Sequence, residues 1–172
     1  MSRIRLSIGG ACLAVSLIGA SSSVPGQTKD LTTPQTKDLT TPKNEIFARK
    51  TLMSSIGTNM YPIDEMLETG KIDLVAARAN AESISAMLMA FPHLFPPDTN
   101  QWKLGAVRDP ATDTLADPAI WESRSFFYRD AMAASKYAFD ASRAQNVADF
   151  SRSARDLRLT CDGCHSTYQK KD

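Results

Sequence analysis

Side chains that bind metals or take part in thiol chemistry are scarce in this sequence. Its 172 residues include three cysteines and two histidines. A tetrahedral zinc site needs four ligands, and beyond the cysteines and histidine near the C-terminus the nearest candidate is His93, far away in the chain. Zinc binding is therefore kept only as an alternative interpretation of these cysteines.

A membrane-spanning segment is missing too, because the apolar stretch at residues 6–20 is too short to cross a membrane readily. With Arg3 and Arg5 before it and small residues after it, this stretch makes residues 1–23 a secretory signal peptide. Cys12 lies inside the apolar run, which argues against lipid attachment there. We expect export to the periplasm, loss of Cys12 with the signal, and no membrane span in the mature protein.

An excess of either charge is absent as well. The chain has 20 Lys and Arg against 19 Asp and Glu, a net charge of +1. Signal removal takes away two arginines and no acids, which leaves a net charge of about −1. This balance gives no support for binding to nucleic acid or to an anionic membrane surface.

Residues 24–42 form a leader with few apolar side chains that could be buried in a hydrophobic core. An octapeptide at 27–34 is repeated without change at 35–42 and is rich in Thr, Pro, Lys and Asp. Eight residues are too few for a solenoid unit, and the composition favours disorder. We interpret the segment as a disordered leader, with a docking tag as the alternative, and residues 43–172 as the folded domain.

Four segments of that domain repeat apolar residues at steps of three and four, the pattern of amphipathic helices. Gly70, Asp73 and Asp117 are candidate helix boundaries. The pattern predicts an all-α fold, an antiparallel up-down-up-down four-helix bundle. The stripes comprise Ile46, Arg49, Met53, Ile56, Met60, Ile63 and Leu67; Leu74, Ala77, Ala81, Ile84, Leu88 and Phe91; Ile120, Phe127, Ala131, Ala134, Ala138 and Ala141; and Val147, Phe150, Ala154, Leu157, Cys161 and Cys164.

Residues 161–165 read Cys-Asp-Gly-Cys-His, and this motif predicts a covalently bound haem c that the bundle encloses. Cys161 and Cys164 have the spacing that adds to two haem vinyl groups, and His165 is then placed to ligate the iron. On a helix, Cys161 and His165 share a face. A thiol redox pair is the other alternative, although no strand pattern precedes these residues.

Two residues on the first stripe are candidates for contact with the same haem. Arg49 would be a buried unpaired charge unless it met a partner such as a haem propionate; the alternative is that its head reaches water. Met53, one turn further, brings a thioether toward the haem face, although methionine at a core position is usually packing.

These residues resemble the class II c-type cytochromes, which are cytochrome c prime and its low-spin relatives. The similarity covers about residues 44–171. It implies a four-helix bundle with one covalent haem c, a possible homodimer, and a distal position at Met53. Gln169 departs from the pattern, because many cytochrome c prime sequences have arginine there. The matching features are the C-terminal haem motif, Arg49 with Met53 and Gly57, the turn at 91–97, and Ile120 with Trp121.

The resemblance is nearer to the low-spin branch, in which a methionine of the first helix ligates the iron. We therefore expect a periplasmic electron carrier that is not an enzyme, with His165 and Met53 as axial ligands and redox proteins as partners. The alternative is a five-coordinate cytochrome c prime that binds nitric oxide or carbon monoxide, with Met53 as steric cover.

Overall fold

The computed structural model describes residues 41–101, 105 and 113–170. The predictions for the signal peptide and for nearly all of the leader lie outside these residues. Within them the fold is all-α, as predicted. The helices are α1 (Pro42–Thr69), α2 (Leu74–Ala90), α3 (Ala119–Glu122), α4 (Arg124–Arg143) and α5 (Val147–Tyr168), and two 3-10 turns, Phe91–Leu94 and Pro97–Thr99, follow α2.

The long helices form an antiparallel four-helix bundle, and polar caps explain several of their ends. The first helix begins at Pro42, one residue before the predicted domain boundary, and Thr41 Oγ1 accepts a hydrogen bond from the Asn44 amide. Gly70 ends α1 with a φ of 69°, a left-handed conformation that glycine adopts without strain. Asp73 Oδ1 accepts from the amides of Val75 and Ala76 and so caps α2.

The predicted third helix is divided in two. Ser123, with φ −123° and ψ 44°, leaves the helical conformation between α3 and α4. Its carbonyl accepts from the amides of Phe126 and Phe127, which starts the new helix. The single turn of α3 therefore positions Ile120 and Trp121 independently of α4.

The main core is built from the predicted stripes of all four long helices. Where α2 and α4 meet, alanines dominate, and Ser85 and Ser135 each donate a hydrogen bond to the other's carbonyl oxygen at 3.0 Å. Small side chains allow this close approach of the two backbones. One stripe position was predicted wrongly, because Val147 is 45% exposed: it is the first residue of α5 and lies at the end of the bundle.

A second, aromatic cluster lies next to the main core. Phe127 meets Phe95 and Tyr168 edge-to-face, with ring centroids 4.9 and 5.2 Å apart. Phe91 and Ile120 complete the cluster, and Leu52 and Met53 of α1 pack against both clusters. No helix in the described part of the chain is long and apolar enough to cross a membrane.

Candidate cofactor site

A cavity of about 370 Å³ lies beside the aromatic cluster, within the size range of small-molecule and cofactor pockets. Its apolar wall is formed by Phe91, Phe95, Ile120 and Phe127. Residues 113–116, which precede α3, form part of another wall. The cavity thus combines an apolar interior with a polar edge.

Four of the five residues predicted for the haem site line this cavity. Arg49 and Met53 reach it from α1, and Cys164 and His165 reach it from the last turns of α5. Cys161 is half-buried one turn earlier and packs against the main core. The fold therefore brings together residues that are more than a hundred positions apart in sequence.

The electrostatics of the two thiols differ from those of a redox-active pair. Burial raises the pKa of Cys161, and burial together with the neighbouring Cys161 raises the pKa of Cys164 to about 11. Reactive cysteines have lowered pKa values, because the thiolate is the nucleophile. The chain that surrounds these thiols therefore keeps them protonated at neutral pH, which weakens the thiol-redox alternative.

His165 lies at the exposed edge of the cavity. Partial burial lowers its pKa, the positive charge of Arg158 lowers it further, and the negative charge of Asp162 opposes both. Arg158 is held in place by ion pairs to Asp162 at 2.9 Å and to Asp64 at 3.4 Å. A lowered pKa favours the neutral imidazole, which is the form that ligates metals.

Arg49 is almost fully buried, with 3% of its surface exposed, and it is bound by the turn that follows α2. Its Nη1 donates to Thr99 Oγ1 at 2.8 Å and to the Leu94 carbonyl at 3.4 Å, and its Nη2 donates to the Thr99 carbonyl at 3.2 Å. The guanidinium carbon also lies 4.7 Å from the ring centre of Phe95 and 5.6 Å from that of Trp121. Arg49 therefore joins α1 to the crossover turn.

Met53 has the only sulfur, apart from Cys164, among the described residues that line the cavity. Its side chain is half-buried and packs between the two hydrophobic clusters. His93, the other histidine, is exposed on the crossover turn and contacts the Tyr128 ring, with centroids 5.7 Å apart. Met53 and His165 therefore line the cavity from different helices, whereas His93 is not among the lining residues.

Comparison with known proteins identifies the family. A family model described as Cytochrome C' matches residues 44–169. The chain belongs to the cytochrome c' family. The cytochrome c' of Pararhodospirillum photometricum is 28% identical over 126 residues, which cover 71% of this chain and 93% of that protein. The predicted resemblance is therefore confirmed at the level of the family, while its low-spin branch stays a prediction.

Solved structures of cytochrome c' share the fold. The protein from Thermochromatium tepidum is 21% identical, with a TM-score of 0.67 over 76% of this chain and 98% of its own. The protein from Shewanella frigidimarina is 19% identical, with a TM-score of 0.66 over 77% of this chain and 98% of its own. Each match spans nearly the whole length of the solved structure, so the fold of the two proteins is shared throughout that length.

Cytochrome c' proteins bind a covalently attached haem c with iron. The residues of this cavity fit such a group, because they offer an apolar wall, the Cys164 thiol with the adjacent His165 imidazole, and a buried cation with one unsatisfied N–H. Arg49 Nε is buried and has no hydrogen-bond partner in the described part of the chain. Burial lowers the pKa of Arg49 to about 10, with Glu45 opposing the shift, so the side chain stays cationic at neutral pH. A carboxylate such as a haem propionate would satisfy this N–H.

Some residues that line or support this cavity were not predicted as site residues from sequence. Thr99 is fully buried against Arg49 but follows no periodic pattern. Tyr168 continues the stripe of α5, and its hydroxyl also donates to Asp130 at 3.4 Å, which fixes its ring as a cavity wall. The wall at residues 113–116 lies in the long connection between α2 and α3, from which no site residue was predicted. Gln169, noted above as a departure from the family pattern, also lines the cavity.

Proposed function

We propose that this protein carries one haem c on Cys161 and Cys164 in the periplasm, with His165 as the protein ligand of the iron, and that it binds nitric oxide or carbon monoxide. In this proposal Met53 covers the other side of the haem without bonding to it. The observation that carries the proposal is the cavity, which joins Cys164 and His165 to an apolar wall and to Met53.

The relatives support the gas-binding form of this proposal. One solved structure that shares the fold is a nitric oxide complex of a variant cytochrome c prime from Alcaligenes xylosoxidans, 18% identical with a TM-score of 0.63. It covers 77% of this chain and 98% of its own. Family membership and this shared fold favour the five-coordinate form over the His/Met electron carrier expected from sequence.

Each side chain of the site has a definable task. Bound haem c supplies an iron at which a diatomic gas binds or an electron is stored. His165, whose lowered pKa favours the neutral imidazole, would hold that iron through a ring nitrogen. Phe91, Phe95 and Phe127 exclude water from the cavity, and Arg49 places a positive charge at its edge. An apolar cavity admits a small neutral gas more readily than an anion, because an anion must lose its hydration.

The electron carrier is the second candidate, and the position of Met53 favours it. The thioether lines the same cavity as His165 and comes from a different helix, so it would be available as a further ligand to a bound iron. The carrier would exchange electrons with redox proteins and would have low-spin iron. The two functions therefore differ in whether the sulfur of Met53 bonds to the iron.

Absorption and electron paramagnetic resonance spectra of the exported protein decide between them. We expect high-spin ferric haem, rapid carbon monoxide binding to the ferrous protein, and the same spin state in Met53→Leu, a substitution of similar volume. Met60→Leu is the matched control, because Met60 is 4% exposed in the main core and does not line the cavity. A low-spin wild type that becomes high-spin only in Met53→Leu would establish the carrier instead.

A further inference from the structure

Three charged side chains connect α1 to α5 beside the haem motif. Arg158 Nη2 lies 2.9 Å from Oδ1 of Asp162, which is one turn further along α5. Arg158 Nη1 lies 3.4 Å from Oδ2 of Asp64, which belongs to α1. The three side chains are between 41% and 55% exposed. Two carboxylates from different helices therefore hold the guanidinium of Arg158 in a defined place.

The charges of this network reach the residues that are proposed to hold the haem. Arg158 precedes His165 by seven residues and Asp162 precedes it by three, so all three lie on one side of α5. Burial lowers the pKa of His165; beyond burial, the charge of Arg158 lowers it and that of Asp162 raises it. Burial also raises the pKa of Cys161, Arg158 opposes this shift, and the two carboxylates of the network add to it.

A fixed charge near a haem iron changes the balance between its two oxidation states. Reduction adds one electron, supplied by a redox protein, and turns ferric iron into ferrous iron with one positive charge fewer. A positive side chain nearby therefore favours the ferrous state, and a negative side chain favours the ferric state. The effect becomes smaller with distance and with screening by water and salt. The sign of a nearby charge thus predicts the direction in which the reduction potential moves.

We propose that Arg158 raises the reduction potential of the iron that His165 holds, because its positive charge favours the ferrous state. The two carboxylate partners keep that charge in place, and Asp162, the nearer of them to His165 in sequence, acts in the opposite direction. Carbon monoxide binds ferrous iron, so the charge of Arg158 increases the share of the protein that is ready for this gas. The inference rests on the proposed function only in requiring that His165 ligates the iron of an attached haem.

Substitutions in the ion pair between Arg158 and Asp162 separate the effect of charge from that of structure. Arg158→Met and Asp162→Asn break the same ion pair, but they change the charge near the iron in opposite directions. Arg158→Lys keeps the charge, and the double variant Arg158→Met with Asp162→Asn leaves the net charge unchanged. The matched controls are Arg152→Met and Asp149→Asn, because these two residues pair at 3.2 Å on the exposed surface of α5, more than three turns before His165.

The ratio of ferrous to ferric holoprotein is measured by absorption at equilibrium with a redox mediator of known potential, at low ionic strength. We expect this ratio to be about threefold lower in Arg158→Met and about threefold higher in Asp162→Asn, the size expected for one partly screened charge within about two helical turns. Both changes should shrink at high salt. Arg158→Lys, the double variant and the two control variants should stay near the wild-type ratio.

The direction of the two shifts decides the outcome. Shifts in the same direction in Arg158→Met and Asp162→Asn would mean that the broken ion pair distorts the site, and they would overturn the inference. A wild-type ratio in Arg158→Met would overturn it as well, even if the protein binds gas as proposed. Opposite shifts in a protein whose low-spin iron is bound by Met53 would support the role of Arg158 and reject the gas-binding function. Absence of attached haem would overturn both proposals.

Discussion

The junction between Arg49 and Thr99 allows a quantitative test of how the site is supported. Thr99 is fully buried, its hydroxyl accepts from Arg49 Nη1 at 2.8 Å, and it donates to the Pro96 carbonyl at 2.7 Å. Thr99→Val keeps the shape of the side chain and removes both hydrogen bonds. Pro96 is not orphaned, because its carbonyl still accepts from Trp121 Nε1 at 3.1 Å. The loss of stability therefore comes mainly from the buried guanidinium of Arg49, which loses its hydrogen bond to the Thr99 hydroxyl.

A hydrogen bond to a charged group contributes about 1.5–3 kcal/mol, and an unsatisfied buried partner costs a similar amount. Arg49 Nη1 retains only the longer bond to the Leu94 carbonyl, at 3.4 Å. We expect Thr99→Val to lower the free energy of unfolding by about 2–3 kcal/mol. Thr99→Ser is the matched control, because it keeps the hydroxyl and loses one methyl group, worth about 0.8 kcal/mol.

Guanidinium chloride unfolding of the holoprotein, followed by far-ultraviolet circular dichroism, measures these differences. In an Arg49→Met background Thr99→Val should cost much less, because the charged donor is gone. If Thr99→Val were no more destabilising than Thr99→Ser, or equally destabilising with and without Arg49, the hydroxyl would not hold the guanidinium and our reasoning would fail.

Three further predictions concern the leader and the pH dependence. Mass spectrometry of the exported protein should show a first residue between Ser21 and Gln27, whereas a chain that starts at Met1 would rule out signal cleavage. Deleting residues 27–42 should leave the haem spectrum and melting temperature nearly unchanged if the repeat does not dock on the bundle. Because hydrogen bonds from Ala119 and Lys170 lower the pKa of Asp117 below its ordinary 3.8, its contribution to stability is present above that pH and is lost as the pH falls through the lower folded value. Asp117→Asn should therefore make the acid loss of stability less steep, and an unchanged slope in acid titrations would contradict this.

The helices could be predicted from sequence because burial alone sets their pattern. Apolar positions at steps of three and four recur wherever a helix meets the core, and Ile63, Ile84 and Leu157 are fully buried as that spacing requires. Val147 shows the limit of the pattern. Spacing fixes the face of a helix on which a residue lies, but it does not show where the neighbouring helices end.

The site was predictable only where chemistry is concentrated in a short motif. Cys164 and His165 follow from local spacing, and Met53 and Arg49 follow from one helical stripe. Thr99 could not be found, because its partner Arg49 lies fifty residues away and a buried threonine has no sequence signature. Sequence suggested that Arg49 meets a haem propionate or reaches water. The structure adds that two of its nitrogens already bind the crossover turn.

The segment at residues 113–117, which pairs with the end of α5, illustrates a third limit. Its attachment to α5 depends on backbone hydrogen bonds of Leu115, Asp117 and Lys170, which any side chain except proline at a donating position could form. Asp117 was predicted as the cap that starts a helix; α3 instead begins at Ala119 after Pro118, and the Asp117 carboxylate accepts from the Ala119 amide. Its ion pair with Lys170 depends on the path of the chain, which local sequence does not specify.

Haem attachment is the most direct test of the central claim, that Cys161, Cys164 and His165 form the cofactor site at this cavity. The exported protein is denatured, extracted with acid acetone, digested with trypsin and analysed by mass spectrometry. The account predicts that the colour stays on the polypeptide, that one peptide containing both cysteines carries the haem, and that Cys161→Ala with Cys164→Ala abolishes stable attachment. Haem that passes into the acetone, or full haem content in the double variant, would contradict it.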